Sequence, residues 1–232
     1  MKAVAIILAA GEARRMAHPK ALILHEGDKS FLQSLASTFV KAGCLVMGVV
    51  GKDAEAIRKQ HPGMDLRESE QWRDSQMASV KTGLDAALAE GADVVVLHPV
   101  DMPALRTNTV KSMLKLMGDS DEMLRPEFEG APGWPVMMSR GMAEKLRAAD
   151  GEQLEAVLKG MRVRRVPMKD PGVLVNINAP ETYERLFGSA PTLAPPPAPP
   201  KRKGSGKRGS GLTTVSDVGE GSSAPMAAAS DE

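Results

Sequence analysis

Apolar residues fall in short unbroken runs along the first half of the chain. Between the runs they recur three or four positions apart. Residues 2–8 form one run, apolar after Lys2, with 45–50 a second and 94–97 a third. Runs of this length without polar alternation predict strands covered on both faces. Phe31, Leu32, Leu35 and Phe39 predict a helix, with Ser30 as its N-cap, Gln33 as capping-box partner and Gly43 as its stop. Asp53 is placed to cap a short helix ending before Pro62 and Gly63. Met77, Val80, Leu84 and Leu88 mark a helix closed by Gly91. Val110, Met113, Leu114 and Met117 mark another, ended by Gly118. The second half is less regular. Strands are expected at 133–139 and 173–177, and helices at 142–148, 153–159 and 180–187. Pro180 suits a first helical turn and Gly188 a stop.

This alternation predicts an α/β fold, a Rossmann-like three-layer αβα sandwich on a mostly parallel sheet. Ligands in such folds sit beyond the carboxyl ends of the strands. Two chemically distinctive segments map to that edge. The first follows the opening strand: Leu8, Ala9, Ala10, Gly11 and Glu12, then Arg15, then Pro19 and Lys20. Small side chains let backbone N–H groups close on an anion, and cations neutralise it. The second follows the 94–97 run: His98, Pro99, Val100, Asp101, Met102, Pro103. A carboxylate held there between prolines suits a hard cation bridging to phosphate.

The opening also has features of a secretory signal, with Lys2, an apolar run and small residues. The apolar run is short for that, and Pro19 to Leu22 leads on into more apolar chain, as a folded domain would. No stretch approaches the ~20 apolar residues of a bilayer span.

Composition bounds the rest. From Ser189 onward Pro, Gly, Ser and Ala dominate, with Pro195, Pro196, Pro197, Pro199 and Pro200 and the cations Lys201, Arg202, Lys203, Lys207 and Arg208. Such a segment cannot bury enough apolar surface to offset chain entropy. One domain is therefore expected over 1–188, followed by a disordered basic tail over 189–232. The net charge of +1 resides in the tail, and the domain balances 25 cations against 25 anions. A neutral body argues against a dedicated nucleic-acid binder. The single cysteine, Cys44, excludes an internal disulfide, and zinc-finger spacing is absent. A cytoplasmic location is expected. There is no G-x-x-x-x-G-K-[ST] and no G-x-G-x-x-G, which disfavours P-loop NTPases and dinucleotide-binding dehydrogenases.

Residues 8–22 read L-A-A-G-E-A-R-R-M-A-H-P-K-A-L. They resemble the L-A-A-G-x-S-x-R-M-G-x-P-K-x-L opening of the MobA-like nucleotidyltransferases, especially the molybdenum-cofactor cytidylyltransferases. Ala13 stands where that pattern has Ser, and Ala17 where it has Gly. Asp101 matches the aspartate of the family's P-x-D-x-P. Asn176, Ile177, Asn178, Ala179, Pro180 and Glu181 are similar to its D-I-D-T-P-E or N-I-N-T-P-E. Residues 72–83 resemble its W-x-x-G-x-x-S-S-L-R-x-G, with Ser75 for Gly and Val80 for Leu. Gly133, Trp134, Pro135 and Val136 match its G-H-P-V, with Trp134 for His.

The resemblance implies a nucleotide-diphospho-sugar transferase-like fold and an Mg²⁺-dependent transfer of a nucleoside monophosphate. The donor it implies is CTP. The acceptor is a phosphorylated small molecule, molybdopterin first, and pyrophosphate leaves. It implies nucleotide binding by Leu8, Ala9, Ala10, Gly11, Arg15, Lys20 and Ser79, with Arg15 and Lys20 stabilising charge. Asp101 and Asn178 are implied as metal ligands; Asn178 as simple N-cap of the Pro180 helix is the plainer reading. Handing on a fragile product implies a molybdoenzyme or chaperone partner. Two alternatives remain open: a sugar, polyol or amino-alcohol phosphate as acceptor, and a nucleotide-binding protein that has lost catalysis.

Overall fold

The computed structural model describes residues 1–16, 18–118 and 123–196. Ala17 and the expected disorder of the tail from 197 lie outside the described residues. The chain divides into a unit Met1–Ala198 and a unit Pro199–Glu232. Every described helix and strand belongs to the first unit.

In chain order the elements are β1 (Ala3–Ala9), α1 (Phe31–Lys41), β2 (Leu45–Val50), α2 (Ala54–Gln60), β3 (Leu66–Glu68), α3 (Gln76–Ala89), β4 (Val94–Pro99) and α4 (Thr107–Leu116). Then come β5 (Met123–Phe128), β6 (Ala131–Pro132), β7 (Val136–Ser139), α5 (Arg140–Ala148), α6 (Leu154–Lys159), β8 (Arg164–Pro167) and α7 (Pro180–Phe187). They form an eight-stranded mixed sheet in the order β3-β2-β1-β4-β7-β5-β6, with β8 on β5. β3, β2, β1 and β4 are mutually parallel. β7 reverses against β4, and β5 against β7.

Strand alternation divides the core into two layers. Ala5 and Ile7 of β1, with Val96 of β4, face Phe31, Leu35 and Phe39 of α1 and Val110 and Met113 of α4. Val4 and Ile6, with Val95 and Leu97, face Met77, Val80 and Leu84 of α3 and Leu146 of α5. Helices on both faces explain why β1 and β4 carry no polar alternation. Cys44 is buried, and burial pushes its thiol up to about 11, so it packs as a small apolar group.

Local signals fix the helix starts. Ser30 Oγ accepts from the Gln33 N–H at 3.1 Å, and Ser139 Oγ from Met142 N–H. Ser75, which departs from the glycine of the resembling motif, is the N-cap of α3 and accepts from Ala78 N–H at 3.0 Å. Asp53 holds the N-cap position of α2 but makes no capping bond. Pro180 starts α7 and Gly188 ends it at φ 74°. Gly83 lies where α3 crosses the sheet. A Cβ there would stand 2.6 Å from Ile6 Cγ2 and 3.0 Å from Val49 Cγ2.

Three expectations change. Residues 173–177 are not a strand. Asp170 accepts from Gly172 N–H and winds Pro171–Leu174 into a 3₁₀ turn. Strand 133–139 shortens to Val136–Ser139. Its start is diverted because Trp134 N–H donates to Val173 O and Arg125 Nε to Gly133 O. The ordered chain also passes the boundary expected at 188. Leu24 N–H donates to Thr192 O at 2.8 Å, Ala194 N–H to Leu22 O at 2.9 Å, and Ala194 is buried.

His98 closes β4 fully buried, edge-on to Phe39, with Nε2–H donating to Met102 O at 2.9 Å. Burial drives its pKa down to about 4. The unfolded chain, near 6.5, therefore takes up a proton first, and stability falls as pH drops from about 6.5 towards 4. His25 and His61 are lowered too, so the His98 share is the difference from a non-titrating variant. Between pH 7 and 5, His98→Gln is expected to lose about 2 kcal/mol less stability than the native chain, read from urea midpoints. Equal losses would show that His98 is not held neutral. Gly83→Ala is expected to cost about 1–2 kcal/mol by overpacking against two β-branched side chains, despite alanine's better helix propensity. An unchanged urea midpoint would show that α3 can shift to make room.

Candidate active site

The carboxyl ends of β1, β2 and β4 open into a cleft of about 260 Å³. Its β1 side is Leu8, Ala9, Ala10, Gly11 and Glu12. Lys20 and Ala21 follow from the next turn, Asp53 and Ile57 from α2, Trp72, Gln76 and Ser79 from the α3 approach, and Pro99, Val100 and Asp101 from β4. The β1 and β4 loops meet because the strands are neighbours: Val100 N–H donates to Leu8 O at 3.0 Å.

Gly11 has ordinary φ, and a Cβ built on it meets nothing within 4 Å. Neither packing within the protein nor backbone strain demands glycine there. Open space beside exposed backbone is what a close-approaching anion needs. Gly51 is the reverse case. A Cβ there would lie 2.6 Å from both Ala10 O and Trp72 Cγ. At Gly51 the loop after β1, the end of β2 and Trp72 therefore approach too closely for any side chain.

Three of the expected functional groups converge. Lys20 Nζ donates to Asp101 Oδ2 at 2.8 Å and also to Asn178 Oδ1. Both partners of the ion pair are mostly shielded, with side chains 20% and 16% exposed. Asn178 is delivered by its own backbone neighbour, since Ile177 N–H donates to Asp101 O at 2.8 Å. Ala179, not Asn178, is the N-cap residue of α7, and that cap has no side-chain bond. The second oxygen of Asp101, Oδ1, is buried without a hydrogen-bond partner.

That oxygen bears on the implied metal. No group of three or more His, Cys, Asp or Glu side chains is placed to hold a metal among the described residues. Mg²⁺ needs no such cage, because it keeps waters and shares substrate phosphates with one or two carboxylates. An unpartnered buried carboxylate oxygen, with an amide oxygen already turned to a cation beside it, fits that donor set.

The other expected residues separate. Ser79 lines the cleft, buried, its Oγ bonded to Ser69 Oγ at 3.2 Å. Arg15 is exposed and is not among the cleft-lining residues. Trp134 packs against the α3-side core with the Arg125 guanidinium 5.2 Å over its ring. Arg125 is itself clamped by both oxygens of Glu155.

Sequence reasoning missed a charged trio at the mouth. Glu12 is gripped by Lys52 and by Arg14, which hold its carboxyl below the usual range. It also missed Asp53 and Gln76 on the cleft wall. Asp53 was findable, since it follows a buried parallel strand as Asp101 does. The Glu12–Lys52 pair spans 40 positions and leaves no local trace.

Comparison with known proteins bears on the family and the fold. A probable molybdenum cofactor guanylyltransferase from Mycobacterium marinum is 25% identical over 185 residues, covering 75% of this chain and 87% of the relative. A nucleotidyl transferase from Methanothermobacter thermautotroptrophicus superposes with a TM-score of 0.69 at 20% identity, covering 80% of this chain and 95% of that one. A manganese complex of Rv0371c from Mycobacterium tuberculosis H37Rv gives 0.63 at 23% identity, covering 82% and 100%. The fold is that of the nucleotide-diphospho-sugar transferases. The family model for the MobA-like NTP transferase domain matches residues 5–166, and with the cleft built at that domain's sheet edge, the chain belongs to the MobA-like nucleotidyltransferases.

Proposed function

We propose that this nucleotidyltransferase moves a nucleoside monophosphate from a nucleoside triphosphate to the phosphate of molybdopterin and releases pyrophosphate. The observation that carries the reading is the meeting of Lys20, Asp101 and Asn178 beside the open backbone of Gly11. An acceptor phosphate oxygen attacks the α-phosphorus. The bond to the α–β bridging oxygen breaks, and its electron pair leaves with pyrophosphate. No side chain becomes covalently attached, so catalysis is positioning and charge stabilisation.

Backbone N–H groups of the 8–11 loop hold the triphosphate. Lys20 stabilises charge at the α-phosphoryl group, and Arg15, from its exposed loop, meets the β/γ end. Ser79 contacts the nucleoside side. Asp101 and Asn178 hold a divalent cation, Mg²⁺ in this reading. When bound, it neutralises charge and polarises phosphoryl oxygens. The manganese complex of Rv0371c supports divalent-metal use by this fold.

Two donors compete. The L-A-A-G form of residues 8–11 favours CTP. The name of the Mycobacterium marinum relative favours GTP. A sugar, polyol or amino-alcohol phosphate is the second acceptor reading, favoured by Trp134, which stands where the resembling motif has His and is covered by Arg125. Either reaction runs without a nucleic acid or a membrane. No helix of the described residues is long and apolar enough to cross one.

Calorimetric titration with CTP, GTP, ATP and UTP in Mg²⁺ is expected to show preference for one nucleotide, lost in Asp101→Ala. Failure of the folded native protein to bind any of the four would withdraw the site assignment. Lys20→Ala is expected to slow turnover roughly 10²–10³-fold, as for loss of one transition-state donor. Near-normal turnover would take Lys20 out of the chemistry.

A further inference from the structure

Resting on that reading of Lys20, we propose that the C-terminal strap, residues 192–194, is a positioning element for the Lys20 ammonium. Lys20 stands at the start of a single 3₁₀ turn, Lys20–Leu22, with no side-chain cap. Such a turn cannot fix itself. The chain that leaves it, Leu22 to Leu24, is held from both sides. On one side Phe31 N–H donates to Ile23 O at 2.9 Å, and Leu24 bridges Ser30. On the other side lies the strap: Ile23 bridges Leu193, Leu24 N–H donates to Thr192 O, and Ala194 N–H donates to Leu22 O. Tyr183 Oη donates to Leu24 O at 2.9 Å as well.

The strap also reaches the opposite wall of the cleft. Gln60 Nε2, at the end of α2, donates to Ala194 O at 2.9 Å. That same short helix carries Ile57 to the cleft, and Asp53 precedes it. Three strap residues thus tie the Lys20 turn to α2. Leu22 and Ile23 are buried, so their backbone groups have no water to replace these partners.

The strap contributes little core. Leu193 is 48% exposed, and of the three residues only Ala194 is buried. Its hold is main-chain pairing, made cheap by Pro191 and Pro195, which restrict the flanking backbone to extended forms. A segment with few apolar contacts and directional bonds next to a reacting group governs geometry more than stability. Displacements near 1 Å at such a group cost about 10²-fold in rate.

The test uses the full chain. Ala194→Pro removes the N–H given to Leu22 O, and Gln60→Ala removes the tie to α2 in case the proline variant fails to fold. Limited acetylation with acetic anhydride, read by mass spectrometry, needs no substrate. Lys2, at the opposite end of β1 and held by Glu90, is the internal reference. Both variants are expected to raise Lys20 labelling about 5-fold with Lys2 unchanged, and to lower kcat about tenfold with nucleotide Kd within twofold of native. In a Lys20→Ala background, Gln60→Ala is expected to cost nothing more. Unchanged Lys20 labelling in the folded variants overturns the proposal. So does a parallel rise at Lys2, or an undiminished kcat loss in the Lys20→Ala background. Raised labelling with native turnover leaves the strap's hold on Lys20 standing and overturns the chemical role given to that lysine.

Discussion

A carboxylate with one oxygen on an ammonium at 2.8 Å and the other buried without a partner is a costly arrangement. Desolvating charges is repaid only when remaining lone pairs are also satisfied. Asp101 leaves one unsatisfied, and the surrounding structure is built to keep it that way. β1 and β4 are adjacent, so their loops emerge side by side. Val100 is stitched to Leu8 and Ile177 to Asp101. His98, neutral and fully buried, holds Met102 O. Three main-chain or imidazole bonds thus fix a four-residue loop around one carboxylate. A loop tied down on all sides cannot relax to satisfy Asp101 by itself, and the remaining valence points to what is brought in.

Legibility in the sequence follows how locally each feature is determined. β1, β2 and β4 were readable because strands covered on both faces need continuous apolar residues. α1 and α3 were readable from periodicity and their stop glycines, and α7 from Pro180 and Gly188. β3, β6 and β8 were not. They are two to four residues long and bear polar or proline residues such as Arg67, Pro132 and Arg164, because they lie at the edges of the sheet, β3 at one and β6 and β8 at the other. The stretch 173–177 misled because Val173 and Ile177 are apolar for a different reason: they plug the core beneath a capped turn. Asp101 and Lys20 were legible through spacing near strand ends. Their mutual contact, across 81 positions, was not. Arg15 shares the opening motif yet stands exposed, since a motif fixes proximity along the chain and not the direction of a long side chain.

The C-terminus shows how composition misleads at a boundary. Pro191, Pro195 and Pro196 read as part of a low-complexity tail. Proline excludes helix and interior strand, but it also fixes the extended backbone that a single edge pairing needs. The residues between those prolines, Thr192 to Ala194, retain the carbonyls and N–H groups that Leu22 and Leu24 require. Chain entropy opposes order less where flanking prolines have already restricted the backbone.

Trp134 illustrates how departures from a motif divide into two kinds. Ser75 replaces a flexible residue with a better helix cap, and the change is absorbed locally. Trp134 cannot be absorbed that way, because an indole in place of a smaller ring needs cover. Arg125 supplies it, lying over the ring while donating to Gly133 O and to Glu155. Gly133 in turn must lack a side chain, since a Cβ would stand 2.5 Å from Val173 O. The tryptophan therefore comes with a supporting set of residues drawn from β5, α6 and the 3₁₀ turn. That set makes it a rigid apolar wall anchored in the α3-side core. Trp134 is not among the residues that line the cleft, so the exchange of an imidazole, which can hydrogen-bond, for an indole covered by Arg125 is accommodated by packing around β5, α6 and the 3₁₀ turn.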